Sequence, residues 1–237
     1  MVFSEFNNKV VLITGAKGGI GSALCREFSK HKAIVYQTDI QHSEERNFIQ
    51  GDISDEAFIK KLVTQITDKE GRIDILVNNA GVCPRTDLMD ISFDEWRKVM
   101  DINLTSVFFL SQAVMKIMME NRSGAIVNLA SMAGQVGGIA VGAHYSASKA
   151  AIECLTKTFA KKAAPHGVRV NAVAPGVIDT DIHKESTTQQ LEGYMQSIPL
   201  GRMGTPEEVA KIILVLASDL ASYVTGTTID INGGQKM

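Results

Sequence analysis

The chain is poor in several features that would otherwise decide its class. Among its 237 residues there are three cysteines, Cys25, Cys83 and Cys154, far apart from one another. That excludes a disulfide framework, and the thiols read as reduced, mostly buried groups of a cytoplasmic protein. No pair of Cys or His has ligand spacing, so no metal is expected. Net charge is small: 24 basic against 26 acidic side chains leave −2, with Lys and Arg scattered. Without a basic field there is no electrostatic means of holding nucleic acid or an anionic membrane. Long apolar runs are missing too. Residues 107–110 and 212–217 are the longest, far short of the roughly 20 that span a bilayer. The first nine residues lack a basic segment followed by an apolar one, so no signal peptide is expected.

What is present is an alternation. Apolar, β-rich runs at residues 9–14, 33–38, 47–50, 73–78, 125–129, 169–174 and 227–231 read as strands. Between them, residues 19–31, 55–69, 93–121, 144–164 and 206–218 carry helical periodicity. Strands separated by helices of this length form βαβ units, hence a parallel sheet covered on both faces. Two helix starts are well marked: Ser92-Phe93-Asp94-Glu95 matches a capping box, and Thr205-Pro206-Glu207-Glu208 adds proline at the first helical position. The gap between Asp39 and Asp52 is too short for a crossover helix plus a strand, so a loop or one turn is expected there. No repeat or linker interrupts the chain, so one domain over residues 1–237 is expected. Residues 179–199 are polar and weakly periodic and follow a strand end, the position of a substrate lid. Its residues Ile182, His183, Leu191, Tyr194, Met195 and Ile198 suit medium-sized apolar carbonyl compounds.

Three clusters carry chemistry. Thr14-Gly15-Ala16-Lys17-Gly18-Gly19-Ile20-Gly21 follows the first strand and opens the first helix. Glycines there allow a tight turn and close approach to a pyrophosphate, and the helix start supplies free N–H groups. Asp39 ends the second strand, eighteen residues after Gly21. A carboxylate there accepts from ribose hydroxyls and repels a 2′-phosphate, which predicts NAD(H) over NADP(H). Tyr145 and Lys149 are four apart, which puts both on one helix face. An ammonium beside a phenol lowers its pKa and makes the tyrosine a usable acid or base. Ser131 stands fourteen positions upstream. His144 is turned away from Tyr145 on the helix, Cys83 reads as packing, and Arg85 is placed to meet an anionic substrate.

The order of the glycine loop, Asn78-Asn79-Ala80-Gly81, Ser131, Tyr145-x-x-x-Lys149 and Pro175-Gly176 resembles the short-chain dehydrogenase/reductase family over nearly the whole chain. The resemblance implies a single Rossmann-type doubly wound parallel sheet of about seven strands, with helices on both faces. It implies catalytic roles for Asn103, Ser131, Tyr145 and Lys149. It implies cofactor contacts at Gly15, Lys17, Gly19, Ile20, Gly21, Asp39, Asp52, Ile53, Asn79, Ala80, Gly81, Tyr145, Lys149, Pro175, Gly176, Ile178 and Thr180. The implied reaction is metal-free hydride transfer between a nicotinamide and a small secondary alcohol or ketone, in a homotetramer or dimer. The body of the chain is most similar to 3-oxoacyl-[acyl-carrier-protein] reductases, as in Gly201-Arg202-Met203-Gly204-Thr205-Pro206. Those enzymes usually use NADPH and dock their carrier with arginines, where this chain has Ala125 and His166. The short segment before Asp52 also resembles NAD-dependent 2,3-dihydro-2,3-dihydroxybenzoate dehydrogenases. A dehydrogenase of a cyclic diol or hydroxysteroid-type alcohol is therefore the rival, and a non-catalytic NAD-binding regulator a more distant one. The Ser131–Tyr145 spacing is one longer than expected in the family, with the extra residue in the glycine-rich stretch 134–142.

Overall fold

In this computed structural model, which describes residues 3–138, 141–180, 193 and 195–237, strands and helices alternate along the chain. They run β1 (Val10–Thr14), α1 (Gly19–Lys30), β2 (Ile34–Asp39), β3 (Phe48–Gln50), α2 (Glu56–Glu70) and β4 (Ile75–Asn78). Then follow α3 (Phe93–Met100), a π turn (Asp101–Thr105), α4 (Ser106–Glu120), β5 (Gly124–Leu129) and α5 (Met132–Val136). The order closes with α6 (Ala143–Ala163), β6 (Val168–Pro175), α7 (Pro206–Ala217) and β7 (Thr228–Ile231). The seven strands form one sheet in the order β3-β2-β1-β4-β5-β6-β7, every pair parallel.

Every residue of β1 is buried, and its side chains divide between two cores as the two-residue period of a strand requires. Val11 and Ile13 join Leu24 and Phe28 of α1 and Val209 and Ile213 of α7. Val10 and Leu12 join Leu62 of α2, Leu110 and Met118 of α4, and Phe159 of α6 on the other face. Burial on both faces is why these strands read as unbroken apolar runs. β1 lies between β2 and β4, with Val11 opposite both Val35 and Ile75. The loops that follow β1 and β4 therefore part company at the same edge of the sheet, and a crevice opens where they do.

Several expectations are refined. Residues 40–47 carry no helix, in keeping with the short gap before Asp52. The long helix expected at 93–121 is interrupted by the π turn at Asp101–Thr105. Taken as one span, Phe93–Glu120 is long and apolar enough to cross a membrane by length and composition. Its Leu110, Val114 and Met118 are fully buried in the core on the sheet. Ser92 caps α3 by accepting from the N–H of Glu95, but the Glu95 carboxylate accepts from Thr86 Oγ1 and faces His144 instead of closing the box. Thr205 and Glu208 make the full reciprocal box at α7. Of the expected lid, Ile182, His183, Leu191 and Tyr194 lie outside the described residues. Ile198 is buried beneath Gly233, and Leu200 N–H donates to the Gly233 carbonyl at 3.1 Å.

Candidate active site

Thr14, the last residue of β1, ties the two diverging loops together. Its hydroxyl accepts from the N–H groups of Asn79 and Ala80, each at 3.0 Å. The Asn79 amide in turn donates to the carbonyls of Thr14 and Gly15, each at 2.9 Å. Two glycines make this closeness possible. Gly15 has φ +64°, and a Cβ there would lie 2.7 Å from Ala80 Cα. A Cβ on Gly21 would overlap the Gly15 carbonyl oxygen. Gly19 faces Thr180, with only 2.9 Å between a would-be Cβ and Thr180 Cγ2, so the segment after β6 closes down on the glycine loop.

α1 has Gly18 as its N-cap and no side-chain cap, and its start at Gly18, Gly19, Ile20 and Gly21 lines the crevice. An uncapped helix start in a glycine cradle is the donor set that a dinucleotide pyrophosphate needs. The crevice has a volume of about 870 Å³. Asp39, Asp52 and Ile53 line it, as do Gly15, Asn79, Ala80, Gly81, Pro175, Gly176, Ile178 and Thr180. So do Ser131, Tyr145, Lys149, Cys83 and Arg85. Among the residues singled out from sequence, Lys17 and Asn103 do not line it.

Asp39 is less available than its position suggested. One carboxylate oxygen accepts from Lys17 N–H and the other from Gln41 N–H, both at 3.0 Å. The Lys17 ammonium lies 3.7 Å from Glu45. One Asp52 oxygen accepts from both the N–H and the hydroxyl of Ser54. Both carboxylates thus shape their own turns.

At the other end, Ser131 caps α5, accepting from Ala133 N–H at 3.2 Å, and lines the crevice together with Tyr145. Cys83 lines the same wall of the crevice. Lys149 is buried; its ammonium donates to the Leu129 carbonyl at 2.7 Å and stands 5.7 Å from the Tyr145 ring centre. Gly134 lets α5 lie against α6 here, since a Cβ would come 2.6 Å from Ala150 N. Burial pushes Lys149 down to about 8. The expected acidified phenol is not found. Burial pushes the Tyr145 phenol up, the neighbouring Cys83 adds to this, and the Ser131 hydrogen bond opposes it only in part. The Lys149 ammonium is directed at the Leu129 carbonyl beside the ring.

Asn103, in the π turn, is fully buried. Its Oδ1 accepts from Val82 N–H at 2.8 Å and its Nδ2 donates to the Val82 carbonyl at 2.9 Å and to Ser148 Oγ at 3.2 Å. It clamps the loop after β4 that carries Cys83. His144 is buried against α3, its Nε2 3.3 Å from Glu95, and does not line the crevice. Cys83, read from the sequence as packing, lines the crevice. Its only signal was adjacency to the Asn-Asn-Ala-Gly turn, which does not reveal that the turn brings it to the crevice.

Comparison with known proteins sharpens this picture. Residues 15–236 match the family model described as enoyl-(acyl carrier protein) reductase. The 3-oxoacyl-[acyl-carrier-protein] reductase of Thermotoga maritima is 41% identical, covering 97% of this chain and 98% of that protein. The crystal structure of 3-oxoacyl-[acyl-carrier protein] reductase from Brucella melitensis superposes with a TM-score of 0.91 at 35% identity, covering 99% of this chain and 93% of its own. Ligand-free aldohexose dehydrogenase of Thermoplasma acidophilum superposes with a TM-score of 0.92 at 32% identity, covering 98% and 96%. The expected preference for NAD(H) over NADP(H) is overturned by these findings. The curated relatives are 3-oxoacyl reductases, the class for which NADPH is the expected reductant. The physical reason lies at Asp39: both oxygens are engaged by backbone N–H donors of Lys17 and Gln41, so the carboxylate holds its own turn and is not left free to select a ribose hydroxyl.

Proposed function

The chain belongs to the short-chain dehydrogenase/reductase family and is an oxidoreductase acting on CH–OH groups, and from that premise we propose that it reduces the 3-keto group of an acyl thioester to the secondary alcohol. The observation that carries this reading is the meeting of Ser131, Tyr145 and Lys149 at one crevice wall, in a protein 41% identical to a 3-oxoacyl reductase. A bound nicotinamide dinucleotide supplies or accepts the hydride. Gly15, Gly19, Ile20 and Gly21 hold its phosphates, and Asp39, Asp52 and Ile53 border its adenosine half. Asn79, Ala80, Gly81, Pro175, Gly176, Ile178 and Thr180 border the rest. Ser131 donates to the substrate carbonyl oxygen and Tyr145 delivers the proton to it. A phenol held above its ordinary pKa carries its proton at neutral pH, the state that carbonyl reduction requires. Lys149 holds the nicotinamide ribose and keeps positive charge beside the forming phenolate. Asn103 acts through Val82 as a positioning residue.

The wider setting follows the same reading. The domain spans residues 1–237, with 179–199 as its substrate lid. The protein works in the cytoplasm, in keeping with its three free cysteines. It assembles as a homotetramer or dimer, for which the exposed Phe109 of α4 offers an apolar face. Dehydrogenation of a cyclic alcohol is the second reading. Ala125 and His166, in place of carrier-docking arginines, and the likeness to an aldohexose dehydrogenase favour it.

Nicotinamide absorbance decides between them. The enzyme is supplied with a 3-oxoacyl thioester or with cyclic alcohols and sugars, each with both dinucleotides. Turnover of the thioester at least about tenfold more efficient, in kcat/KM, supports the first reading. The reverse order supports the second. Tight dinucleotide binding with no turnover of any substrate would leave a regulator.

A further inference from the structure

β7 stands at the edge of the sheet, beside β6, and the segment that follows it returns to the crevice, which Gln235 lines. Asn232 makes the turn. Its Oδ1 accepts from Gly234 N–H at 2.9 Å, its Nδ2 donates to the Lys236 carbonyl at 3.0 Å, and its own carbonyl accepts from Gln235 N–H at 3.0 Å. The turn is seated closely on its neighbours. Gly233 and Gly234 have φ +61° and +85°, and a Cβ on either would lie 2.7 Å from Ile198 Cγ2 or 3.1 Å from Pro199 Cγ. Gln235 adds a tie to the same neighbours, its Nε2 donating to Ser197 Oγ at 2.8 Å. From this fixed turn Lys236 reaches the other way. Its ammonium donates to Gln135 Oε1 of α5 at 2.7 Å and lies 3.2 Å from Asp230 of β7, to which Gln135 Nε2 also donates at 2.8 Å.

We propose that Lys236 is a positioning residue that, through Gln135, holds α5 and its cap Ser131 at the crevice wall. The proposal rests on the reading of Ser131 and Tyr145 as the groups that meet the substrate carbonyl. α5 has five residues, too few for its own backbone bonds to hold it, so its place is set by what packs on it. α6 meets it at Gly134, where a Cβ would come 2.6 Å from Ala150 N. The triangle of Lys236, Asp230 and Gln135 ties it to β7. Lys236 and Asp230 are each 35% exposed, so solvent screens the pair and it adds little to global stability. Its effect is on where α5 sits. The glycine cradle is built by other contacts, those of Thr14 and Asn79, and stands apart from this tie.

The test is a double-mutant cycle in kcat/KM, run with whichever of the 3-oxoacyl thioester and the cyclic alcohols the nicotinamide assay ranks first. Lys236→Met lowers kcat/KM at least about tenfold, the order of loss that a displaced polar group in a site produces. Dinucleotide affinity by calorimetry and the urea midpoint stay at their original values. Lys236→Arg, which keeps the charge and the donors, restores most of the rate. Gln135→Leu lowers kcat/KM by a similar factor, and the double variant is no worse than either single one, because both break the same link. Three results overturn the proposal: an unchanged kcat/KM in Lys236→Met, losses that add in the double variant, or a dinucleotide affinity that falls in step with the rate. Should Lys236→Met not fold, Gln135→Leu and Lys236→Arg decide. Failure of the underlying reading is separately visible: Ser131→Ala and Tyr145→Phe would then turn over normally.

Discussion

Lys149→Met separates what the buried ammonium does for function from what it does to stability. The side chain is 3% exposed, and burial lowers its pKa from 10.5 to about 8. At about 1.4 kcal/mol per unit, holding this charge in the fold costs about 3 kcal/mol. Methionine of similar length removes that cost but also removes the donor to the Leu129 carbonyl, worth about 1 kcal/mol. The variant without ligand should therefore be more stable by about 2 kcal/mol at pH 7, while its turnover collapses. The sign of the pH dependence is fixed. Below about pH 8 both folded and unfolded chains carry the proton, and the unmodified protein bears the full cost. Between about 8 and 10.5 the folded form sheds its proton while the unfolded form keeps it, so the unmodified protein gains stability as pH rises. The gap between the two proteins narrows over that window and reverses at its top, where only the lost hydrogen bond remains. Urea unfolding at pH 7 and at a series of higher values measures this directly. A Lys149→Met protein less stable than its parent at pH 7 would refute the reasoning, because it would show that the ammonium stabilises the unliganded fold.

Two further substitutions test the scaffold of the site. Asn103→Ala strips both hydrogen bonds from the Val82 backbone and should cost about 2 kcal/mol in thermal or urea unfolding, with a fall in kcat as Cys83 and Gly81 lose their anchor. An unchanged stability would mean that water replaces the amide without loss. Gly21→Ala places a methyl against the Gly15 carbonyl and 2.9 Å from Ala16 Cα. The loop must shift, so dinucleotide affinity measured by calorimetry should weaken at least about tenfold, or about 1.4 kcal/mol. Unaltered affinity would show that this glycine does not shape the phosphate cradle.

Much of the framework was legible because it depends on local pattern. The alternation of apolar strands with helical segments reports burial on two sheet faces, and β1, β2, β5 and β6 fall within a residue or two of their expected ends. The full capping box at Thr205 was legible for the same reason. What escaped depends on contacts distant in sequence. The Ser92 box opens because Glu95 is drawn to Thr86 and His144. The π turn has no side-chain signature, only a consequence, which is the inward turn of Asn103. Asp39 looked like a sentinel against a 2′-phosphate because nothing in its own segment shows Lys17 N–H arriving from the glycine loop. The environment of Tyr145 was misjudged for a related reason. Helical spacing brought Lys149 near the ring, but burial, with Cys83 after it, pushes the phenol up.

The central claim is that one phenolic proton, at Tyr145, is what the site hands to its substrate. Tyr145→Phe removes that proton and little else. With dinucleotide affinity followed by calorimetry and turnover by nicotinamide absorbance, the account predicts affinity close to that of the unmodified enzyme and a loss of turnover of about 10²–10⁴-fold. Turnover near the original rate in this variant would contradict it.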